Sequence, residues 1–146
     1  MATFSRSAVL EWDGDVMRGS GSVKAGTKAF GAPASFPRLV GEAQGVTTPE
    51  ELPAASHAVC FGIGMRSVIG RRGGSARRVT VEATITAEKG PQGIRIQSSH
   101  LRGVVEGLLG IEDGQLEEIA RETADGCTIS EAIRGNVVIT HEVTGA

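Results

Sequence analysis

The 146-residue chain predicts an α+β fold on three observations. Residues 77–87 (Arg-Arg-Val-Thr-Val-Glu-Ala-Thr-Ile-Thr-Ala) alternate apolar and polar side chains with the period of two of a half-buried strand. Residues 94–105 repeat that pattern more weakly, after a turn at Lys89-Gly90-Pro91-Gln92-Gly93. Two further stretches, residues 48–70 and 110–124, read as helices, one long and apolar and one amphipathic.

In chain order, residues 7–12 alternate loosely and residues 16–23 return as a Gly-rich strand. Asp13-Gly14 between them is a two-residue hairpin signal. Residues 26–46 are rich in Gly, Ala and Pro without a period and read as a long loop with some β character; a connection of this length in a small domain is often functional. The first helix has a full start signal: Thr48 as N-cap, Pro49 at the first helical position, Glu50 at the positive end of the dipole and Glu51 in capping-box position. Pro53 could bend its first turn. Gly62 and Gly64 each cost on the order of 1 kcal/mol against Ala in a helix, which suggests that another backbone packs closely there, naturally a partner helix. The second helix carries Leu116, Ile119, Ala120 and Thr123 on one face and stops at Asp125-Gly126. Cys127 then precedes a short helix with Thr128 and Glu131 in capping-box spacing, Gly135 stops it, and residues 137–143 close as a strand. The order is ββ-α-ββ-α-α-β.

One domain spanning residues 1–146 is the expectation at this length. Fifteen Lys and Arg against seventeen Asp and Glu remove the long-range field that a nucleic-acid or anionic-membrane binder uses. The opening Met-Ala-Thr-Phe-Ser-Arg-Ser has no apolar run, so no secretory signal peptide and a cytoplasmic location are expected. Residues 52–70 approach the length of a membrane span but carry His57 and Arg66 among Ala, Gly and Ser, which favours a buried helix of a soluble protein. Four Phe, one Trp and no Tyr leave little aromatic area for a monomer to bury and tilt toward an oligomer.

The only two cysteines, Cys60 and Cys127, carry the chemical argument. In a reducing compartment such a pair is more often free or catalytic than a structural disulfide. Burial alone would raise the Cys60 pKa and leave an inert core thiol, so a nucleophilic Cys60 needs a cation, either Arg38 from the preceding loop or the nearer but weaker His57. Glu50 lies ten residues before Cys60, roughly 15 Å along the helix, and cannot reach it within one chain. In an antiparallel pair of such helices it could approach the Cys60 of the other copy. Cys127, at a helix N-terminus, is the thiol that could attack an oxidised Cys60.

The blocks Thr47-Thr48-Pro49-Glu50-Glu51-Leu52, Ala54-Ala55-Ser56-His57-Ala58-Val59-Cys60-Phe61, Ser35-Phe36-Pro37-Arg38-Leu39-Val40-Gly41-Glu42 and Gly126-Cys127-Thr128-Ile129-Ser130 closely resemble the OsmC/Ohr family. The N-terminal Ala-Val-Leu-Glu-Trp-Asp-Gly-Asp-Val-Met-Arg-Gly-Ser-Gly is more similar to its OsmC branch. The resemblance implies a thiol peroxidase with an intertwined homodimeric α+β fold, long central helices wrapped by sheets, and no metal or flavin cofactor. It implies that Cys60 is the peroxidatic and Cys127 the resolving cysteine, that Arg38 and Glu50 activate the site, and that a lipoyl-type or other small dithiol is the reductant. Phe36, Phe61 and Ile63 could then form an apolar wall favouring alkyl hydroperoxides. Pro53, Gly62, Gly64 and Thr128, where the family commonly has Pro, depart from the pattern and bear on substrate preference and helix packing.

Two other classes use the same residues. A non-enzymatic redox sensor would employ the two thiols as a binding switch, and a small-molecule binding protein would leave both cysteines structural. Zinc binding is weakest, because two cysteines 67 residues apart and the scattered His57, His100 and His141 lack ligand spacing.

Overall fold

The computed structural model describes residues 1–36 and 45–146. The chain divides into two compact units, Met1–Leu52 and Pro53–Ala146.

In the first unit, β1 (Ala8–Asp13), β2 (Ser20–Ala25) and β3 (Gly31–Ala34) form an antiparallel sheet in that order. The expected hairpin is present, but its connection is longer than the two residues of Asp13-Gly14, because Asp13 pairs with Ser20. Asp15 makes the longer turn: its carboxylate accepts from the amides of Met17 and Arg18 at 2.9 and 2.8 Å, and its carbonyl accepts from Gly19 at 2.7 Å. Such local bonds from Asp offer the backbone an alternative to the tight hairpin turn. The β character expected within residues 26–46 is β3, extended by a bridge between Ala34 and Thr47. A cavity of about 520 Å³ in this unit is walled by Leu10, Trp12, Val23, Phe36, Pro49 and Leu52, among others.

The second unit holds the larger sheet, β4 (Arg78–Gly90), β5 (Gly93–Glu106) and β6 (Val138–Gly145), with β5 central. β4 and β5 are antiparallel across Pro91-Gln92, both longer than expected, and β6 runs parallel to β5. Alternate β5 residues Ser99, Leu101, Gly103 and Val105 are buried, as the two-residue period of a strand dictates.

Helix α1 (Glu51–Arg71) presents His57, Phe61, Met65, Val68 and Ile69 on one buried stripe. Phe61, Met65, Val68 and Ile69 enter a core with Leu101, Val105, Leu116, Ile119 and Ala120. Helix α2 (Leu116–Gly126) starts later than expected, after a 3₁₀ turn at Asp113–Gln115, and buries the four predicted residues Leu116, Ile119, Ala120 and Thr123. Helix α3 is Thr128–Ile133.

Within this chain one face of α1 stays open. The helix is not buried all round, since Val59 and Ile63 are 60 % and 66 % exposed; by length and composition it is apolar enough to cross a membrane. Within the chain, side chains are the nearest neighbours of two of its glycines. A Cβ on Gly62 would meet Val81 Cγ2 at 3.4 Å, and one on Gly64 would meet Thr123 Cγ2 at 3.0 Å, so side chains of β4 and α2 fill the space.

Candidate active site

The two thiols come from elements distant in sequence. His57 and Cys60, three residues apart, are neighbours on the surface of α1. Phe61 turns into the core, where its ring stacks on His141 at 6.1 Å between centroids, and Cys60 at the edge of the buried stripe is only partly covered. Cys127 is buried and serves as N-cap of α3, its sulfur accepting from the Ser130 amide at 3.5 Å. The sequence expectation gave the cap to Thr128. The sulfur takes it because Cys127 has the extended backbone (φ −80°, ψ 115°) that a cap requires, whereas Thr128 is already helical.

The folded chain brings the thiols close enough for each to shift the other's ionisation, and both lie against the first turn of α3. Burial pushes the Cys60 thiol up; the Ile129 and Thr128 amides pull it down, and the neighbouring Cys127 raises it again. Burial would also raise Cys127, but hydrogen bonds from the Ser130 hydroxyl and amide, from Cys60 and from the Ile129 amide outweigh it, so this thiol is lowered. Among the described residues, the groups that stabilise a thiolate therefore favour Cys127. Cys60 supplies the S–H that faces it.

His57 is not the cation that the sequence offered as a partner for Cys60. Burial lowers its pKa and holds it neutral. Its ring is fully buried, with Nδ1 2.7 Å from Ser99 Oγ on β5 and Nε2 2.8 Å from Ser130 Oγ on α3. Sequence reasoning missed both serines as partners, which stand 42 and 73 residues from His57. The available signal was Ser130, three residues after Cys127 in the block used for the family resemblance.

Arg38 lies outside the described residues. Glu50 belongs to the first unit, where its Oε2 is buried and has no hydrogen-bond partner among the described residues. Of the residues considered for an apolar wall, Phe61 is a core residue of the second unit, Ile63 is exposed on it, and Phe36 lines the cavity of the first unit.

Two adjacent thiols whose ionisation is biased in opposite directions can exchange a proton and can close a disulfide when one is oxidised. A family model described as OsmC-like protein matches residues 41–142. The chain is 26 % identical over 143 residues to Peroxiredoxin OsmC of Escherichia coli strain K12, covering 97 % of this chain and 98 % of that relative. Its fold is similar to that of the organic hydroperoxide resistance protein OsmC of Legionella pneumophila, with a TM-score of 0.77 at 24 % identity and 99 % of each chain covered. It is also similar to the organic hydroperoxide resistance protein OhrB of Bacillus subtilis, with a TM-score of 0.73 at 21 % identity over 94 % of this chain and 98 % of the other. With a family match over most of its length and that fold along nearly all of it, the chain belongs to the OsmC-like protein family.

Proposed function

We propose that this protein is a cysteine-based peroxidase. The observation that carries the reading is the meeting of its only two thiols, 67 residues apart in sequence, at the first turn of α3. The Peroxiredoxin OsmC relative supports it. In this reading Cys60 thiolate attacks the distal oxygen of an organic hydroperoxide or hydrogen peroxide, the O–O bond breaks, and alcohol or water leaves with a proton from solvent. Cys60 becomes a sulfenic acid. Cys127 then attacks the Cys60 sulfur, water leaves, and a dithiol such as a lipoyl group reopens the disulfide by exchange.

The described surroundings of Cys60 raise its pKa, so the reading needs a cation to ionise it. Arg38 takes that role, hydrogen-bonding thiolate and peroxide, and Glu50 orients the guanidinium through a paired hydrogen bond. Because Glu50 stands just before α1, about 15 Å along the helix from the Cys60 of its own chain, the reading includes a homodimer in which it serves the partner's thiol. The test follows peroxide consumption with a dithiol present. Cys60→Ser abolishes it, and Cys127→Ser allows a single oxidation followed by overoxidation of Cys60; equal turnover in wild type and Cys60→Ser removes the proposal.

A further inference from the structure

We infer that His57, acting through Ser130, is a positioning residue that organises proton transfer from Cys127 when the disulfide closes on Cys60; the inference rests on the peroxidase reading above. Its basis is a buried row of polar groups that runs from β5 to the Cys127 sulfur. Ser99 Oγ meets His57 Nδ1 at 2.7 Å, His57 Nε2 meets Ser130 Oγ at 2.8 Å, the Ser130 amide donates to the Cys127 sulfur at 3.5 Å, and the Ser130 hydroxyl lies near enough to that sulfur to lower its pKa. Ser99, His57 and Ser130 have no solvent exposure and Cys127 has 4 %. Water therefore has little access to the far side of the Cys127 sulfur.

A neutral imidazole has one donor and one acceptor nitrogen, so the chain has two self-consistent polarities. With Cys127 as a thiol, its S–H donates to Ser130, Ser130 donates to Nε2, and Nδ1–H donates to Ser99. With Cys127 as a thiolate, Ser99 donates to Nδ1, Nε2–H donates to Ser130, and Ser130 donates to the sulfur. Ionising Cys127 thus reverses every bond up to β5, and His57 is the member that makes the reversal possible. Serine alone would propagate a hydrogen bond but could not take up the proton.

The closing step balances as Cys60–SOH plus Cys127–SH giving the Cys60–Cys127 disulfide and water. The S–S bond forms and the S–O bond breaks. The Cys127 sulfur is oxidised as the Cys60 sulfur is reduced from sulfenic acid, and the departing hydroxide takes the proton that Cys127 gives up. Ser130 passes that proton to Nε2 while the S–S bond forms and returns it to the hydroxide. Burial holds His57 neutral, which leaves Nε2 free to accept and quick to give back. The groups bonded to the His57 ring are the Ser99 hydroxyl of β5 and the Ser130 hydroxyl of α3; the charged side chains that those elements also carry, Arg95, Arg102 and Glu106 on β5 and Glu131 on α3, are not among the causes of its shift. Burial is the cause of its shift, and among the described residues no carboxylate bonds to the imidazole.

The test mixes protein with one equivalent of cumene hydroperoxide over a range of pH, quenches at intervals, and measures sulfenic acid and disulfide by mass. In the wild type the rate of disulfide closure levels off on approaching neutral pH. In Ser130→Ala, which keeps the amide bond to Cys127, and in His57→Gln, closure slows on the order of a hundredfold, and its rate keeps rising about tenfold per pH unit. A structural role alone would not change that profile, and folded variants that close at the wild-type rate with the wild-type profile overturn the inference. A second measurement needs no peroxide: the 240 nm thiolate absorbance of Cys127 is titrated in Cys60→Ser with and without Ser130→Ala or His57→Gln. A midpoint that rises with His57→Gln supports the coupling, and one that stays fixed with His57→Gln refutes it. Should wild-type Cys60 take no oxygen from the peroxide, the peroxidase reading falls and this titration still decides the role of His57.

Discussion

The buried Ser99–His57–Ser130 network makes a stability prediction that ordinary packing does not. His57→Leu removes the imidazole and leaves two fully buried hydroxyls without it. An orphaned buried polar group costs about 1–3 kcal/mol, so this change costs roughly 2–6 kcal/mol. Ser99→Ala and Ser130→Ala each orphan one ring nitrogen, at about 1–3 kcal/mol apiece. Were the sites independent, the triple variant would lose roughly 4–12 kcal/mol, comparable to the whole stability of a domain at about 5–15 kcal/mol. The network predicts otherwise, because the triple variant removes the imidazole and both hydroxyls together, while the Cys127 sulfur keeps the Ser130 amide. What remains is a small change of packed volume, worth about 1–3 kcal/mol. Urea unfolding at fixed protein concentration measures each variant. Thermal midpoints should follow at roughly 2–4 °C per kcal/mol for a chain near this size. Losses that add across the three sites would refute the claim that they act as a unit.

Two further predictions concern titration. Cys127 raises the pKa of Cys60 through its hydrogen bond and its charge, so Cys127→Ala should lower the midpoint of Cys60 ionisation and speed its alkylation at neutral pH; an upward or absent shift contradicts the coupling. His57 has a folded pKa below the usual 6.5, so below that pH the unfolded chain binds a proton that the folded chain refuses. Stability is therefore lost as pH falls through this range and is unaffected by His57 above it. The difference in unfolding free energy between wild type and His57→Gln should narrow from pH 7.5 to pH 5, and a constant difference would mean that His57 is not held neutral.

Much of the fold was legible because its signals are local. The β4–β5 pair announces itself by period two, and Leu116, Ile119, Ala120 and Thr123 mark the buried face of α2 by helical spacing. The turn after β1 was misread because Asp15 offers its carboxylate to two amides, a side-chain choice that the Asp13-Gly14 signal overshadowed. The cap of α3 was placed one residue late because sulfur is a weak acceptor and Thr128 looked the better one. At the site, both cysteines could be chosen from sequence, but the state of His57 could not. A histidine three residues before a cysteine reads as a candidate cation; only the approach of Ser99 and Ser130 along a buried path makes it a neutral relay. Burial and long-range pairing are properties of the assembled chain.

The central claim, that Cys60 and Cys127 form one redox couple, is tested most directly by intact and peptide-level mass spectrometry after one equivalent of cumene hydroperoxide under non-reducing conditions. The account predicts loss of two hydrogens within a single chain and a peptide pair joined through Cys60 and Cys127. Cys60 that accumulates as sulfinic acid, or that joins a Cys60 of another chain, while Cys127 remains an alkylatable thiol would contradict it.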